Sequence, residues 1–198
     1  MTDFFGRFLE RADFLLNALE SRLNLIAGLI VFALMFLGVI QIVLRTVFRT
    51  PIFGYIDIVE VAMVGFAVLA ISYVQRVGGH VRMELLVARL RGRAHWLAET
   101  LSTMLGIFIV GVLIPYSYSH FQRAFNIGDS TIDIEIITWP PKLIVPLALS
   151  VLMIRMWIQL GGYIRLSLNP ALEPVAVPLL KDVEEIAEEE IRQAAEDA

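Results

Sequence analysis

The side chains of this 198-residue chain that could do chemistry are few, and their spacing excludes most of it. Three histidines, His80, His95 and His120, stand far apart. No two have the i, i+3 or i, i+4 spacing that lets imidazoles share a metal from one helix, and no carboxylate cluster joins them. None lies inside an apolar run, so paired haem ligands facing each other within a bundle are excluded too. The absence of cysteine removes disulfides, thiol nucleophiles and cysteine metal sites. No Ser-His-Asp set and no phosphate loop is present. The expectation is a protein that is not an enzyme, holds no cofactor or metal, and has no nucleic-acid partner.

What remains is charge set beside apolar sequence. Asp57 and Glu60 are three residues apart and share a helix face, while Arg45 and Arg49 precede them at similar depth. This places a Glu60 to Arg45 contact inside the bundle, or contacts of both with a partner; an ion or proton site is the alternative. Arg155 falls deeper, about a dozen residues into an apolar run, and Glu99 is its expected partner from a neighbouring run. The alternative for Arg155 is snorkelling to the nearer interface.

The elements that must position these residues are membrane spans. Leu23 to Leu44 carries no charge, and about 20 apolar residues suffice to cross a hydrocarbon core. Further runs predict spans at about 23–44, 56–75, 97–118 and 142–163. Apolar residues make up 58% of the chain and mean hydropathy is +0.73, above the range of soluble domains. The runs are continuous rather than alternating, which excludes strands of a membrane barrel. The fold class is therefore an all-α integral membrane protein with a four-helix membrane domain over residues 23–164.

Residues 1–22 place Phe4, Phe5, Phe8, Leu9, Ala12, Leu15, Leu16 and Leu19 on one helical side, with charged and amide residues around the rest. They predict an amphipathic helix lying on the membrane surface, with binding to a partner as the alternative, rather than a cleavable signal. Val81 to Leu90 predicts a second, short interfacial helix between spans two and three. Residues 165–198 read as a linker containing Pro170, Pro174 and Pro178, then an acidic tail. The tail accounts for more than the whole net charge of −4, because residues 181–198 hold eight acids and two bases.

Lysines and arginines near the spans fall ten on one side and four on the other. By the positive-inside rule, both termini and the second loop are cytoplasmic. Tyr55, Tyr116, Tyr118 and Trp139 then mark the outer interface, and Tyr73, Trp96, Trp157 and Tyr163 the inner one.

Two stretches are specific enough to resemble a known family. R-T-V-F-R-T-P-I-F-G-Y-I-D-I-V-E leads into the second span, and S-Y-V-Q-R-V-G-G-H-V-R-M-E-L-L leaves it. This resembles the DctQ-type small membrane subunit of tripartite ATP-independent periplasmic (TRAP) transporters, at Arg45, Phe48, Pro51, Asp57, Gly79, His80, Arg82 and Glu84. The third loop is also similar, with Gly128, Asp129 and Ser130 followed by W-P-P-K-L-I-V-P. The chain departs from the family pattern where Ile58 follows Asp57 and the next acid is Glu60, and where Thr46 replaces the common tyrosine.

The resemblance implies a bacterial inner-membrane system in which a periplasmic substrate-binding protein delivers an organic-acid-type solute to a small and a large (DctM-type) subunit. It implies drive by an ion gradient, typically sodium. It also implies that the large subunit moves while the small one stands as scaffold. On this reading membrane lipid and the large subunit cover the spans, and the outer loop with Asp129, Asp133, Glu135 and Trp139 docks the binding protein. Scaffolding of another membrane complex and a self-contained four-helix channel are the alternatives, although broken spans and a midplane polar cluster are absent from the sequence pattern.

Overall fold

Four helices long and apolar enough to cross a membrane organise the chain, and no named strand occurs among the described residues. The structure is a computed structural model that describes residues 2–78, 93–168 and 177, with side chains from residue 9 in the first helix and from residue 96 in the helix that begins at Arg93. The expected interfacial helix over 81–90 and the acidic tail lie outside the described residues.

Helix α1 runs without interruption over Thr2–Val43, about 63 Å at 1.5 Å per residue, or twice the roughly 30 Å hydrocarbon core. The segment expected as a separate interfacial helix over 1–22 is thus the first half of the helix that forms the first span. No proline or glycine stands between Gly6 and Gly28 to break it. Its apolar residues also divide: Leu9 and Leu16 are buried with Glu20 and Ala27, whereas Phe14 and Leu15 are exposed. Spacings of seven, four and seven put the buried four on one face, turned into the protein.

A single π-helical turn, Leu44–Phe48, extends α1 and stops at Arg49, whose φ of 56° is left-handed and whose N–H bonds the Leu44 carbonyl. After a short connection, α2 spans Tyr55–Leu69 and α3 spans Ile71–Val77, with Ala70 between them. The sequence reading treats these as one span; the interruption has no proline or glycine to announce it. Gly78 ends α3 at φ +73°, its N–H reaching the Gln75 carbonyl at 3.3 Å. This is the left-handed stop its position predicts.

Helices α4 (Arg93–Ile127) and α5 (Trp139–Leu168) form the principal pair, and α5 is the most enclosed span while α1 is the least. Ile107 and Val110 of α4 pack with Leu149, Leu152, Met156 and Leu160 of α5. Gly106 and Gly111 face Met156 and Met153, so missing side chains on α4 are filled by flexible ones from α5. Phe121 and Phe125 meet Trp139 at one end of this pair, and Trp96 meets Tyr163 at the other. Trp139 and Tyr163 are about 36 Å apart along α5, a separation that suits two interfacial belts flanking a bilayer core.

The bundle therefore has two unlike ends. One carries the connections at 49–54 and 128–138 and is called the loop end here; the other carries Gly78 and the outer halves of α1 and α5.

Candidate functional site

At the loop end the sequence-predicted residues separate into those that build the surface and those that remain on it. Asp57 sits in the first turn of α2, where the helix dipole favours a negative charge, and is only 3% exposed. Its Oδ2 accepts the backbone N–H groups of Asp133 at 3.0 Å and Ile134 at 2.9 Å. Beneath Ile134 lies Gly54, at φ +74°, where an added Cβ would come within 2.5 Å of the Ile134 side chain. Here glycine is required both for the backbone angle and for the space.

The 128–138 connection holds itself together as well. Ser130 and Ile137 form an isolated antiparallel bridge. Thr131 N–H donates to the Ile136 carbonyl at 2.9 Å, and the Thr131 hydroxyl accepts the Ile136 N–H at 2.9 Å. Thr138 N–H donates to the Asp129 carbonyl at 3.0 Å, and Lys142 Nζ pairs with the Asp129 carboxylate. The hydrogen bond from Lys142, and then its charge, hold the Asp129 carboxyl below the usual aspartate range. Glu135 completes the turn in the left-handed region at φ 53°.

Of the four residues expected to meet a partner, Asp129 is thus committed to Lys142 and Trp139 is packed against Phe121 and Phe125. Asp133 and Glu135 are exposed. Glu60 is exposed one turn along α2 from Asp57 and lines a cavity of about 500 Å³ with Asp129, Asp133 and Lys142. Arg45 lines another, of about 460 Å³, with Gln41, Pro51, Tyr55 and Asp133. The expected Glu60 to Arg45 ion pair does not form among the described residues; the two side chains border different cavities. The expectation rested on similar depth alone, and depth does not fix which face of each helix carries the charge. Pro51 lies in the connection at 49–54, and the Ile52 N–H behind it donates to Gln41 Oε1 at 2.7 Å.

At the other end, Arg155 is 1% exposed and does not pair with Glu99. Its Nε and Nη2 donate to Glu20 Oε1 and Oε2 at 2.8 and 2.5 Å, and its Nη1 pairs with Asp13. Ser72 Oγ donates to the same Glu20 carboxylate at 2.6 Å, while Arg76 Nε stands 3.9 Å away. Gln75 Nε2 donates to Gln159 Oε1 at 2.8 Å, and Gln159 Nε2 returns a bond to the Gln75 carbonyl. The Glu99 assignment fails because it seeks a partner for Arg155 only within the spans; the continuation of α1 below its span brings two carboxylates to that depth. Glu99 is itself buried, in α4. Gly79, His80, Arg82 and Glu84 lie outside the described residues.

With the clamp at Asp57 and the 128–138 connection placed, comparison with known families matches residues 34–165 to tripartite ATP-independent periplasmic transporters, DctQ component. The chain belongs to the DctQ family. A search of curated proteins finds no match to it. This DctQ protein is thus the small subunit of a TRAP transporter and a multi-pass inner-membrane protein. Its family works in a tripartite system with a large membrane subunit and a periplasmic binding protein. The matched stretch contains Asp57, Arg155 and the whole 128–138 connection but not Asp13 or Glu20, which lie before it.

Among the described residues no group of three or more His, Asp or Glu side chains could hold a metal ion. The residues that sequence reasoning missed are Asp13, Glu20, Ser72 and Gln159 at one end and Ile132 and Ile134 at the other. The spacing of Asp13 and Glu20, seven residues along a helix, was the available signal.

Proposed function

We propose that this DctQ subunit is the stationary scaffold of an ion-gradient-driven, sodium-coupled symporter for organic-acid-type solutes, with its loop end turned to the periplasm. Both termini are then cytoplasmic, in keeping with the excess of arginine and lysine near that end. The large subunit carries the solute and ion sites, and the binding protein docks at the loop end.

The observation that carries this reading is the pairing of Arg155. Its guanidinium and the Glu20 carboxylate satisfy each other, with Asp13 and Ser72, from three separate helices. A charge committed in this way is braced rather than open to a passing ion. The long apolar faces left on α1 and α4, including Leu29, Phe32, Phe36, Leu101, Leu105 and Phe108, suit lipid and a large membrane partner.

Tagging the chain in its native host and purifying it in mild detergent tests the proposal. Recovery of a large polytopic subunit in stoichiometric amount, with uptake requiring both chains and a binding protein, is the expected result. Ion or solute flux through liposomes containing this chain alone would reject it in favour of a self-contained channel.

A further inference from the structure

The tip of the 128–138 connection presents one side chain that no contact within the protein explains. Ile132 is 96% exposed, although its neighbour Thr131 is only 8% exposed and the next two residues are held through their N–H groups by Asp57. The backbone is fixed from beneath while the side chain stands clear. An isolated exposed isoleucine is unremarkable on a surface, but here a buried carboxylate, an internal bridge and a left-handed Glu135 all serve to hold the segment that displays it.

We infer that Ile132 is the apolar anchor by which the periplasmic binding protein seats on this subunit, entering an apolar pocket rimmed by basic side chains, and that Asp57 is the positioning residue that sets its place. This rests on the docking reading above. The exposed carboxylates of Asp133 and Glu135 flank the tip, and Glu60 borders the cavity behind it. Lys142, which borders the same cavity, is bound to Asp129, and Arg45 borders the separate cavity that Asp133 also lines. An apolar centre within an acidic rim fits a protein surface with lysine or arginine around a pocket, and the acidic rim disfavours insertion into an anionic lipid surface. Because the loop is already ordered, little conformational entropy is lost on docking.

The chain has no cysteine, so Ile132→Cys gives a unique thiol. In right-side-out vesicles holding the subunit assembled with its large partner, a membrane-impermeant maleimide is expected to label it, and saturating binding protein is expected to protect it. In nanodiscs, Ile132→Asp is expected to weaken binding of the binding protein by about tenfold to a hundredfold, the range for losing a buried aliphatic side chain, with subunit assembly unchanged. Asp57→Asn is expected to weaken binding less, and Asp133→Lys with Glu135→Lys to weaken it most at low salt. Native affinity for Ile132→Asp, together with unprotected labelling, would overturn the anchor while leaving docking elsewhere on the complex intact. Failure of the native complex to bind the binding protein, or labelling of the thiol only from the cytoplasmic side, would overturn the docking reading and the anchor with it. Reaction only with a lipid-soluble reagent would place Ile132 in the membrane and reject the protein pocket.

Discussion

At the loop end the carboxylate of Asp57 is met by two backbone N–H groups from a connection; at the other end the carboxylate of Glu20 is met by the guanidinium of Arg155 and the hydroxyl of Ser72. Both acids are nearly inaccessible, yet one orders a loop and the other joins helices. Near water, amide dipoles and a helix N-terminus are enough to hold a carboxylate, and the reward is a fixed surface. Deeper in the bundle a formal countercharge is needed, because an unpaired ion there is far more costly than the pair is favourable. The loop end should therefore tolerate change with local consequences, whereas the buried pair should not.

The sharpest break of that contrast is Arg155→Met. It leaves the fully buried Glu20 with only Arg76, 3.9 Å away, and removes the partner of the partly exposed Asp13, and the expected loss is about 3–5 kcal/mol. Thermal unfolding in detergent measures it. A variant carrying Asp13→Asn, Glu20→Met and Arg155→Met together should recover much of the loss, since no buried charge is then stranded. A single substitution as stable as the native protein would show that the network is hydrated and only decorative.

The loop end offers two smaller perturbations. Gly54→Ala must adopt φ +74° and displace Ile134, and the backbone part alone costs about 1–2 kcal/mol. In an Ile134→Ala background only that backbone part should remain, so a double-mutant cycle separates clash from strain. Asp57→Ala removes the acceptor shared by Asp133 and Ile134. Hydrogen exchange should then quicken at those two amides while α4 and α5 keep their protection, and Asp57→Asn should fall between. Exchange that quickens throughout the bundle would erase the distinction between the two ends.

The same contrast decides how much could be read from the sequence. Four spans and the family motif are legible because continuous apolar runs and the residues around the second span are local signals. Gly78 is legible for the same reason, since a glycine closing an apolar helix has one common use. The partners of Arg155 are not, because Asp13 and Glu20 stand 142 and 135 residues away and belong to a segment whose polar face suggests a membrane surface. The separation of Arg45 from Glu60 is not legible either, because similar depth on two spans leaves the facing of each side chain open, and the π turn at Leu44–Phe48 leaves no mark in the sequence. At the 128–138 connection, composition points to acids; only the folded segment reveals that Asp129 is spent on Lys142 and that Ile132 stands exposed.

The smallest effect belongs to that Asp129 and Lys142 pair, and it tests whether the loop end is held chiefly by Asp57. Exposed ion pairs contribute little, so Lys142→Met should leave thermal stability almost unchanged. It should nevertheless alter titration. Lys142 depresses the Asp129 carboxyl, so the pair's contribution is complete above the ordinary aspartate value and is lost as pH falls through the lower value of the folded protein. Trp139 lies one turn before Lys142 on α5, which makes its fluorescence a reporter once Trp96 and Trp157 are replaced by phenylalanine. In the native loop the acid-induced change should come below the ordinary aspartate value, and in Lys142→Met it should move up toward that value. A titration unmoved by Lys142→Met would mean that Asp129 is held by the backbone of the connection, making both carboxylates of the loop end alike and the contrast with Arg155 sharper still.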